Sequence, residues 1–183
     1  LAAMGAMVQL GYSLPAVVEA VRLLKSVPGR MELWHFPGDV SVVVDYAHTP
    51  DALQQSLIAL RQQCRGRVWC VFGCGGDRDK GKRPLMGQIA ELYADHVIIT
   101  ADNPRTEAVL DICNDIAAGM KTGANCQIEP DRESAIKLAL IEAHAHDMIL
   151  VAGKGHETYQ ILGSTVRDYD ERKFIDALLA EMS

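Results

Sequence analysis

The chain has 183 residues, a formal net charge of −6 and 49% hydrophobic residues, an ordinary composition for a globular protein. Lysine and arginine are scattered rather than clustered, which argues against a nucleic-acid-binding surface and against attraction to an anionic membrane. No apolar run reaches the ~18 residues that a membrane span needs. We expect a cytoplasmic, monomeric protein that binds neither nucleic acid nor membrane.

The five cysteines are an odd number and contain no CxxC pair, which argues against a disulfide framework and against a zinc site. We expect small buried side chains in a reducing compartment, and no metal ligands in this chain. Cys74 is the exception to watch, because it stands in a glycine-rich turn.

The first residues are typical of the helical end of one domain. Residues 1–10 are apolar but lack the basic flank of a signal peptide, so we interpret them as a helix remnant of a longer protein. Ser13 is a suitable N-cap for a second helix. Pro28 ends that helix, so we place the domain boundary there, between a helical segment at 1–28 and a second domain at 29–183.

The second domain alternates between strands and helices. After a predicted hairpin at 31–45, the predicted strands cover residues 68–72, 96–100, 126–128 and 148–152, with helices from residue 50 and at 84–93, 107–120 and 132–145. A further hairpin across 163–164 and a helix at 171–181 end the chain. This alternation predicts an α/β fold with a mostly parallel sheet and helices on both faces. Such sheets bind ligands outside the carboxyl ends of their strands, so the loops there are candidate sites.

The first of these loops follows the strand that ends near residue 45. Asp45 could accept a hydrogen bond from a ribose hydroxyl, while Tyr46 and His48 could pack on a base. The alternative is a purely local role, in which Thr49 caps the next helix and Asp45 satisfies nearby N–H groups.

The second loop, residues 73–84, combines glycines with several cationic side chains, a combination that suits an anion. It nearly matches a phosphate-binding P-loop, but Arg83 stands where that motif needs a hydroxyl for magnesium. The GxGxxG pattern also fails, because Arg78 occupies its third glycine position. An anion or carboxylate site of another kind and a charged surface turn both remain open.

The third and fourth loops carry opposite charges. The third contains an acid, an amide and a guanidinium around a rigid proline: Asp102, Asn103, Pro104 and Arg105. Asp102 could accept from an ammonium group while Arg105 binds a carboxylate with two N–H groups, which suits a zwitterion. In the fourth loop, Gly153 frees the backbone and Glu157 could accept from an ammonium group. Ordinary turns are the alternative at both places.

Four sequence motifs, at residues 43–50, 72–79, 102–105 and 152–157, together strongly resemble motifs of the Mur ligase family. They read Val-Val-Asp-Tyr-Ala-His-Thr-Pro, Phe-Gly-Cys-Gly-Gly-Asp-Arg-Asp, Asp-Asn-Pro-Arg and Ala-Gly-Lys-Gly-His-Glu. The resemblance covers nearly the whole chain. It implies a Rossmann-like C-terminal domain, preceded by the helical end of a central ATPase domain.

The resemblance also implies roles for individual residues. ATP would be contacted by Arg30 at its phosphates, by Asp45 at its ribose, and by Tyr46 and His48 beside the nucleotide. Diaminopimelate would be bound by Arg78, Asp102, Asn103, Pro104, Arg105, Gly153 and Glu157. No residue is assigned a catalytic role, although Arg30 is a candidate for one through the ATP phosphates.

The implied activity is ATP-dependent addition of meso-2,6-diaminopimelate to UDP-MurNAc-L-Ala-D-Glu through an acyl phosphate, in peptidoglycan synthesis. The family's Gly-Lys-Thr loop and its Mg²⁺ ligands are expected upstream of this chain, which contains no Gly-Lys-Thr or Gly-Lys-Ser. We therefore expect no turnover by this chain alone. A lysine-adding ligase, a folylpolyglutamate-type ligase and a free-standing nucleotide-binding module are the alternatives.

Overall fold

The structure, a computed structural model, describes residues 2–24, 27–121 and 125–182. These residues form two N-terminal helices, a six-stranded sheet flanked by helices, and a two-stranded hairpin followed by a last helix. Among the described residues, none of the helices combines the length and the apolar composition that a bilayer crossing needs.

The two N-terminal helices are α1 (Ala2–Gln9) and α2 (Leu14–Arg22). The Ser13 hydroxyl accepts a hydrogen bond from the Ala16 N–H at 3.4 Å, which confirms the predicted N-cap. None of the α1 residues is buried, and Val17 is the one buried residue of α2. These helices therefore contribute little to the core of the domain that follows.

The sheet confirms the predicted mostly parallel arrangement. Its strands are β1 (Glu32–Phe36), β2 (Val40–Asp45), β3 (Val68–Phe72), β4 (His96–Ile99), β5 (Cys126–Ile128) and β6 (Met148–Ala152). Their order across the sheet is β1-β2-β6-β3-β4-β5. Strand β1 pairs with β2 as the predicted antiparallel hairpin, and every other pair in this sheet is parallel.

Helices join the parallel strands, and a small hairpin precedes the last helix. The connecting helices are α3 (Pro50–Gln63), α4 (Lys82–Tyr93), α5 (Val109–Ala117) and α6 (Arg132–Glu142), and the final elements are β7 (Tyr159–Leu162), β8 (Thr165–Asp168) and α7 (Glu171–Met182). Parallel neighbours joined by helices are the doubly wound arrangement that the alternating pattern predicted.

Some predicted helix bounds were wrong by a few residues. Helix α4 begins at Lys82 rather than at Pro84, since a proline in the first helical turn removes no intrahelical hydrogen bond. Helix α5 begins at Val109, because the preceding N–H of Glu107 donates to the Pro104 carbonyl in a turn (3.1 Å). Helix α6 ends at Glu142, three residues earlier than predicted.

The core lies in two layers, one on each face of the sheet. Side chains alternate between the faces along each strand, so neighbouring residues enter different layers. Val43 and Leu150 pack with α3, α4 and α5, whereas Val42 and Ile149 pack with α6 and α7. All five residues of β3 are buried, as expected for a strand covered on both sides.

The strand order brings four loops to one edge of the sheet. Strand β6 is inserted between β2 and β3, so β2, β6, β3 and β4 are consecutive neighbours. Since these four strands are parallel, the loops at their carboxyl ends lie side by side. The direction of the chain across the sheet also changes here, which is where doubly wound folds form their binding crevices.

Candidate functional site

The four loops line an open cavity of about 500 Å³ at the carboxyl ends of the strands. From the set predicted to contact a nucleotide, it includes Tyr46 and His48. From the set predicted to contact an amino acid, it includes Arg78, Asp102, Asn103, Arg105, Gly153 and Glu157. Pro104 does not line the cavity, because its carbonyl turns away to accept the N–H of Glu107. The loops that the sequence singled out therefore share one cavity.

Lys154 lies buried behind three of the residues that line the cavity, Asp102, Asn103 and Glu157. The sequence analysis assigned no role to this lysine. This lysine is 0% exposed, and its ammonium donates to Asn103 Oδ1 (3.1 Å) and to Glu157 Oε2 (3.5 Å). It also lies 3.5 Å from Asp102 Oδ1. Burial lowers the pKa of Lys154, while the Asp102 carboxylate opposes that shift. The sequence feature that could have indicated a role for Lys154 is its position between Gly153 and Gly155 in the fourth loop.

Asp102 presents an unsatisfied oxygen. The residue is 8% exposed, and its buried Oδ1 has no hydrogen-bond partner among the described residues, although Lys154 Nζ is 3.5 Å away. A buried carboxylate oxygen without a hydrogen bond costs free energy, and the positive charge of the nearby Lys154 ammonium partly offsets that cost.

Arg105 is held in an unusual backbone conformation with its guanidinium at the cavity. Its φ angle is +52°, a left-handed value that costs energy for residues other than glycine. One guanidinium nitrogen, Nη1, donates to the carbonyls of Gly76 (2.9 Å) and Asn103 (3.3 Å). Among the described residues, Arg105 pairs with no carboxylate, so its positive charge is available to an anionic ligand.

The hairpin of β7 and β8 imposes this conformation. The Arg105 N–H donates to the Ile161 carbonyl (3.1 Å), and the Gly163 N–H donates to the Arg105 carbonyl (2.7 Å). The same hairpin donates from the Ile161 N–H to Asn103 Oδ1 (3.0 Å), and from Gln160 Nε2 to the Asp102 carbonyl (2.9 Å). These bonds dock the hairpin onto the third loop, a contact that no local sequence pattern indicated.

A buried ion pair between α6 and α7 contacts the backbone just before the third and fourth loops. Arg132 on α6 and Glu171 on α7 are 2% and 0% exposed, and Arg132 Nε donates to Glu171 Oε2. The guanidinium also donates to the carbonyls of Ala101 (3.2 Å) and Ala152 (2.9 Å). These carbonyls immediately precede the third and fourth loops. The pair therefore ties two strand ends to the helices that pack beneath them.

Arg83 shows why the near match to a P-loop carries no phosphate function. Its side chain is 0% exposed and pairs with Glu107 (2.8 Å) and Asp115 (2.8 Å). It also donates to the Gly75 carbonyl at 3.3 Å, so it fastens the glycine loop to α5. Hydrogen bonds from Arg83 and Lys80 lower the pKa of Glu107 well below its usual value.

The residues predicted to contact ATP lie beside the residues predicted to bind diaminopimelate. The Arg30 guanidinium stands 4.6 Å from the Tyr46 ring centre, and the rings of His48 and His156 lie 4.7 and 4.9 Å from the same ring. His156 was not predicted. Asp45, by contrast, is buried and uses both oxygens internally, accepting from the Met31 N–H (3.1 Å) and the Ser56 hydroxyl (2.7 Å).

Close backbone contact explains why Arg30 reaches this cluster. A Cβ placed on Gly29 would lie 2.2 Å from the backbone of Gly155, so only glycine permits the approach. Gly155 has a φ of +51°, and a side chain there would collide with Tyr46. The segment around Gly29 is therefore packed on the fourth loop.

Cys74 is a packing residue of the second loop. It is 2% exposed, and burial raises the pKa of its thiol to about 12. All five cysteines are free, but Cys64 and Cys126 are only partly buried, contrary to the prediction for the whole set. Cys64 follows the end of α3, and Cys126 lies on an edge strand, so neither is covered on all sides.

We expect Cys74 to resist alkylation in the folded chain. At pH 8, a thiol with a pKa of about 12 is thiolate in only about one molecule in 10⁴, and the thiolate is the reactive form. Iodoacetamide at pH 8, followed by peptide mass spectrometry, should label Cys64 and Cys126 well before Cys74. Urea-unfolded protein, in which all sites should react, is the control. Labelling of Cys74 at the unfolded rate would contradict the assignment.

The described residues contain no cluster of three or more His, Cys, Asp or Glu side chains that could hold a metal ion. The cavity instead offers guanidinium, ammonium and carboxylate groups to a ligand. Fold and site together define an α/β protein with a charged cavity at the carboxyl ends of parallel strands, the usual place of a ligand site in this fold class.

The chain belongs to the Mur ligase family. The family model described as "Mur ligase, glutamate ligase domain" matches residues 29–155. A UDP-N-acetylmuramoyl-L-alanyl-D-glutamate–2,6-diaminopimelate ligase of Haemophilus influenzae is 51% identical over 170 residues, which are 93% of this chain and 35% of that protein. The chain thus spans about a third of the length of the curated relatives it matches.

Solved structures show the same relationship. A structure of a UDP-N-acetylmuramoyl-L-alanyl-D-glutamate–2,6-diaminopimelate ligase superposes with a TM-score of 0.80 at 42% identity, covering 98% of this chain and 37% of that one. The UDP-N-acetylmuramate-alanine ligase of Thermotoga maritima superposes with a TM-score of 0.67 at 20% identity, covering 97% of this chain and 36% of that one. The second likeness shows the fold alone.

Proposed function

We propose that this chain is the amine-substrate-binding lobe of a cytoplasmic, ATP-dependent ligase of peptidoglycan synthesis. The ligase adds meso-2,6-diaminopimelate to UDP-MurNAc-L-Ala-D-Glu. The single observation that carries the proposal is one cavity lined by Arg78, Arg105, Asp102 and Glu157. The relative at 51% identity and the solved structure at 42% identity are both diaminopimelate-adding ligases by name, which supports the proposal.

The charges of the cavity match the charges of diaminopimelate. This substrate carries two ammonium and two carboxylate groups at neutral pH. The carboxylates of Asp102 and Glu157 line the cavity and suit an ammonium group, while the unpaired guanidinium of Arg105 suits a carboxylate. Lysine lacks the second carboxylate, so its binding would leave one guanidinium without a partner.

In such a ligase, ATP transfers its γ-phosphoryl group to the D-Glu carboxylate and leaves as ADP. A substrate amine then attacks the acyl phosphate, and phosphate leaves, with loss of a proton, to give the amide. This lobe acts by holding the amine substrate in a fixed orientation, a contribution that can reach ~7–11 kcal/mol in ideal cases. The neighbouring cluster of Arg30, Tyr46 and His48 suits contact with a nucleotide, because it combines a cation with aromatic faces. The Mg²⁺ ligands are proposed to come from other parts of the ligase.

Ligand titration of the 183-residue chain tests this proposal. We expect meso-diaminopimelate to shift ¹⁵N NMR signals of the third and fourth loops, L-lysine to do so more weakly, and ATP to bind weakly. We also expect no ATP hydrolysis by this chain alone. Tight ATP binding without any response to diaminopimelate would instead favour a nucleotide-binding module. Preference for lysine or glutamate would favour the lysine-adding or folylpolyglutamate-type alternative.

A further inference from the structure

Lys154 is a buried cation at the meeting point of three side chains that face the cavity. Its ammonium donates to Asn103 Oδ1 at 3.1 Å and to Glu157 Oε2 at 3.5 Å, and it lies 3.5 Å from Asp102 Oδ1. The side chain is 0% exposed, and the ring of Tyr159 lies 5.8 Å from Nζ. A lysine so buried does not reach solvent, so its contacts are with the site itself.

We propose that Lys154 is a positioning residue that fixes the substrate-facing groups of Asn103, Asp102 and Glu157. The inference rests on the proposed function, because it concerns how the same cavity binds its amine substrate. Lys154 itself does not touch the substrate in this proposal. It determines which atoms of the three neighbouring side chains remain free to do so.

The orientation of the Asn103 amide carries the first part of the proposal. Two donors, Lys154 Nζ (3.1 Å) and the Ile161 N–H (3.0 Å), both bind Asn103 Oδ1. The amide nitrogen must therefore face the other way, where it donates to Glu157 Oε2 at 2.9 Å. Without the lysine, one of the two donors that hold this orientation is lost, and the amide can rotate.

The second argument for the proposal is that Lys154 helps to determine which oxygen of Glu157 stays free for a ligand. Asn103 and Lys154 both donate to Glu157 Oε2. Among the described residues, the other oxygen, Oε1, has no partner in a hydrogen bond or an ion pair. Glu157 is thereby turned so that one oxygen is held by the protein and one is left for a ligand ammonium group.

The third argument for the proposal is that Lys154 balances the negative charges of Asp102 and Glu157. The charged groups facing Lys154 are Asp102 on the third loop, Glu157 on its own loop, Arg132 on α6 and Glu171 on α7. Arg132 and Glu171 pair with each other, which leaves Lys154 to balance Asp102 and Glu157. Removal of the ammonium would leave two neighbouring carboxylates without the cation between them, so their mutual repulsion would no longer be compensated.

The test is the Lys154→Met substitution in the complete ligase, since methionine has a similar length and no charge. We expect the KM for diaminopimelate to rise by about 10- to 100-fold, because oriented charged hydrogen bonds are lost. The KM for ATP should stay within about twofold, a split that general destabilisation would not produce. Lys173→Met, at an exposed lysine on α7, is the matched control.

A second variant and a direct observation cover the case in which Lys154→Met does not fold. Lys154→Gln keeps a donor for Asn103 but no charge, and we expect a KM between those of the wild type and Lys154→Met. In the wild-type chain, the side-chain N–H protons of Asn103 should exchange with solvent more slowly than those of an exposed asparagine, and their signals should shift with diaminopimelate. Exchange of the Asn103 side-chain protons as fast as at an exposed asparagine, or an unchanged KM in a folded variant, would overturn the role of Lys154. Absence of any diaminopimelate-dependent activity in the wild-type ligase would instead overturn the proposed function.

Discussion

Replacement of Arg105 by alanine in the complete ligase is expected to raise the KM for meso-diaminopimelate by about two to four orders of magnitude. Charged hydrogen bonds contribute about 1.5–3 kcal/mol each, and a bidentate contact contains two of them. The guanidinium is already positioned by the carbonyls of Gly76 and Asn103 and has no carboxylate partner among the described residues. Its loss therefore removes binding to the ligand without breaking an internal ion pair.

Steady-state kinetics with each substrate varied in turn would measure the effect. The KM for ATP should change little, and the preference for diaminopimelate over lysine should largely disappear, because lysine lacks the carboxylate in question. Arg65→Ala is a matched control, since Arg65 is exposed and lines a groove near the opposite end of the sheet. A KM for diaminopimelate within threefold of the wild-type value would refute the role of Arg105.

The second large effect is expected from Arg132→Met, which should lower the free energy of unfolding by about 3–5 kcal/mol. Removal of one partner leaves Glu171, which is 0% exposed, as an uncompensated buried charge. The carbonyls of Ala101 and Ala152 also lose their donor. For a chain of this length, such a loss corresponds to a fall in Tm of roughly 6–20 °C.

Thermal and urea unfolding of the 183-residue chain would measure this loss. The double variant Arg132→Met with Glu171→Leu should recover much of it, because replacement of both partners leaves no unpaired charge. Arg167→Met is the matched control: its ion pair with Glu133 is 41% and 35% exposed at the two side chains, and exposed pairs contribute at most about 1 kcal/mol. A loss for Arg132→Met no larger than for this control would contradict the proposed support of the two loops.

The sequence alone predicted the architecture and the place of the cavity. Apolar periodicity located most strands, and the bounds of β3 and β6 agree with the prediction because each is a short apolar run between polar loops. The bounds of the three-residue edge strand β5 agree as well. Alternation with helices requires parallel strands, and parallel strands bring their carboxyl ends together. The charged third and fourth loops could therefore be recognised as one site without coordinates.

Only the tertiary structure decided which charges are available to a ligand. The sequence contains Arg83, Arg105 and Lys154 in similar glycine-rich or proline-containing loops. In the structure, Arg83 forms ion pairs with Glu107 and Asp115, and Lys154 is buried beneath the cavity. Of these three cations, only Arg105 lacks an acidic partner among the described residues. The docking of the hairpin that sets the conformation of Arg105 joins residues more than 50 positions apart. Local patterns report periodicity and turn chemistry, whereas the partner of a charge depends on packing between distant segments, and that packing fixes the chemistry of the site.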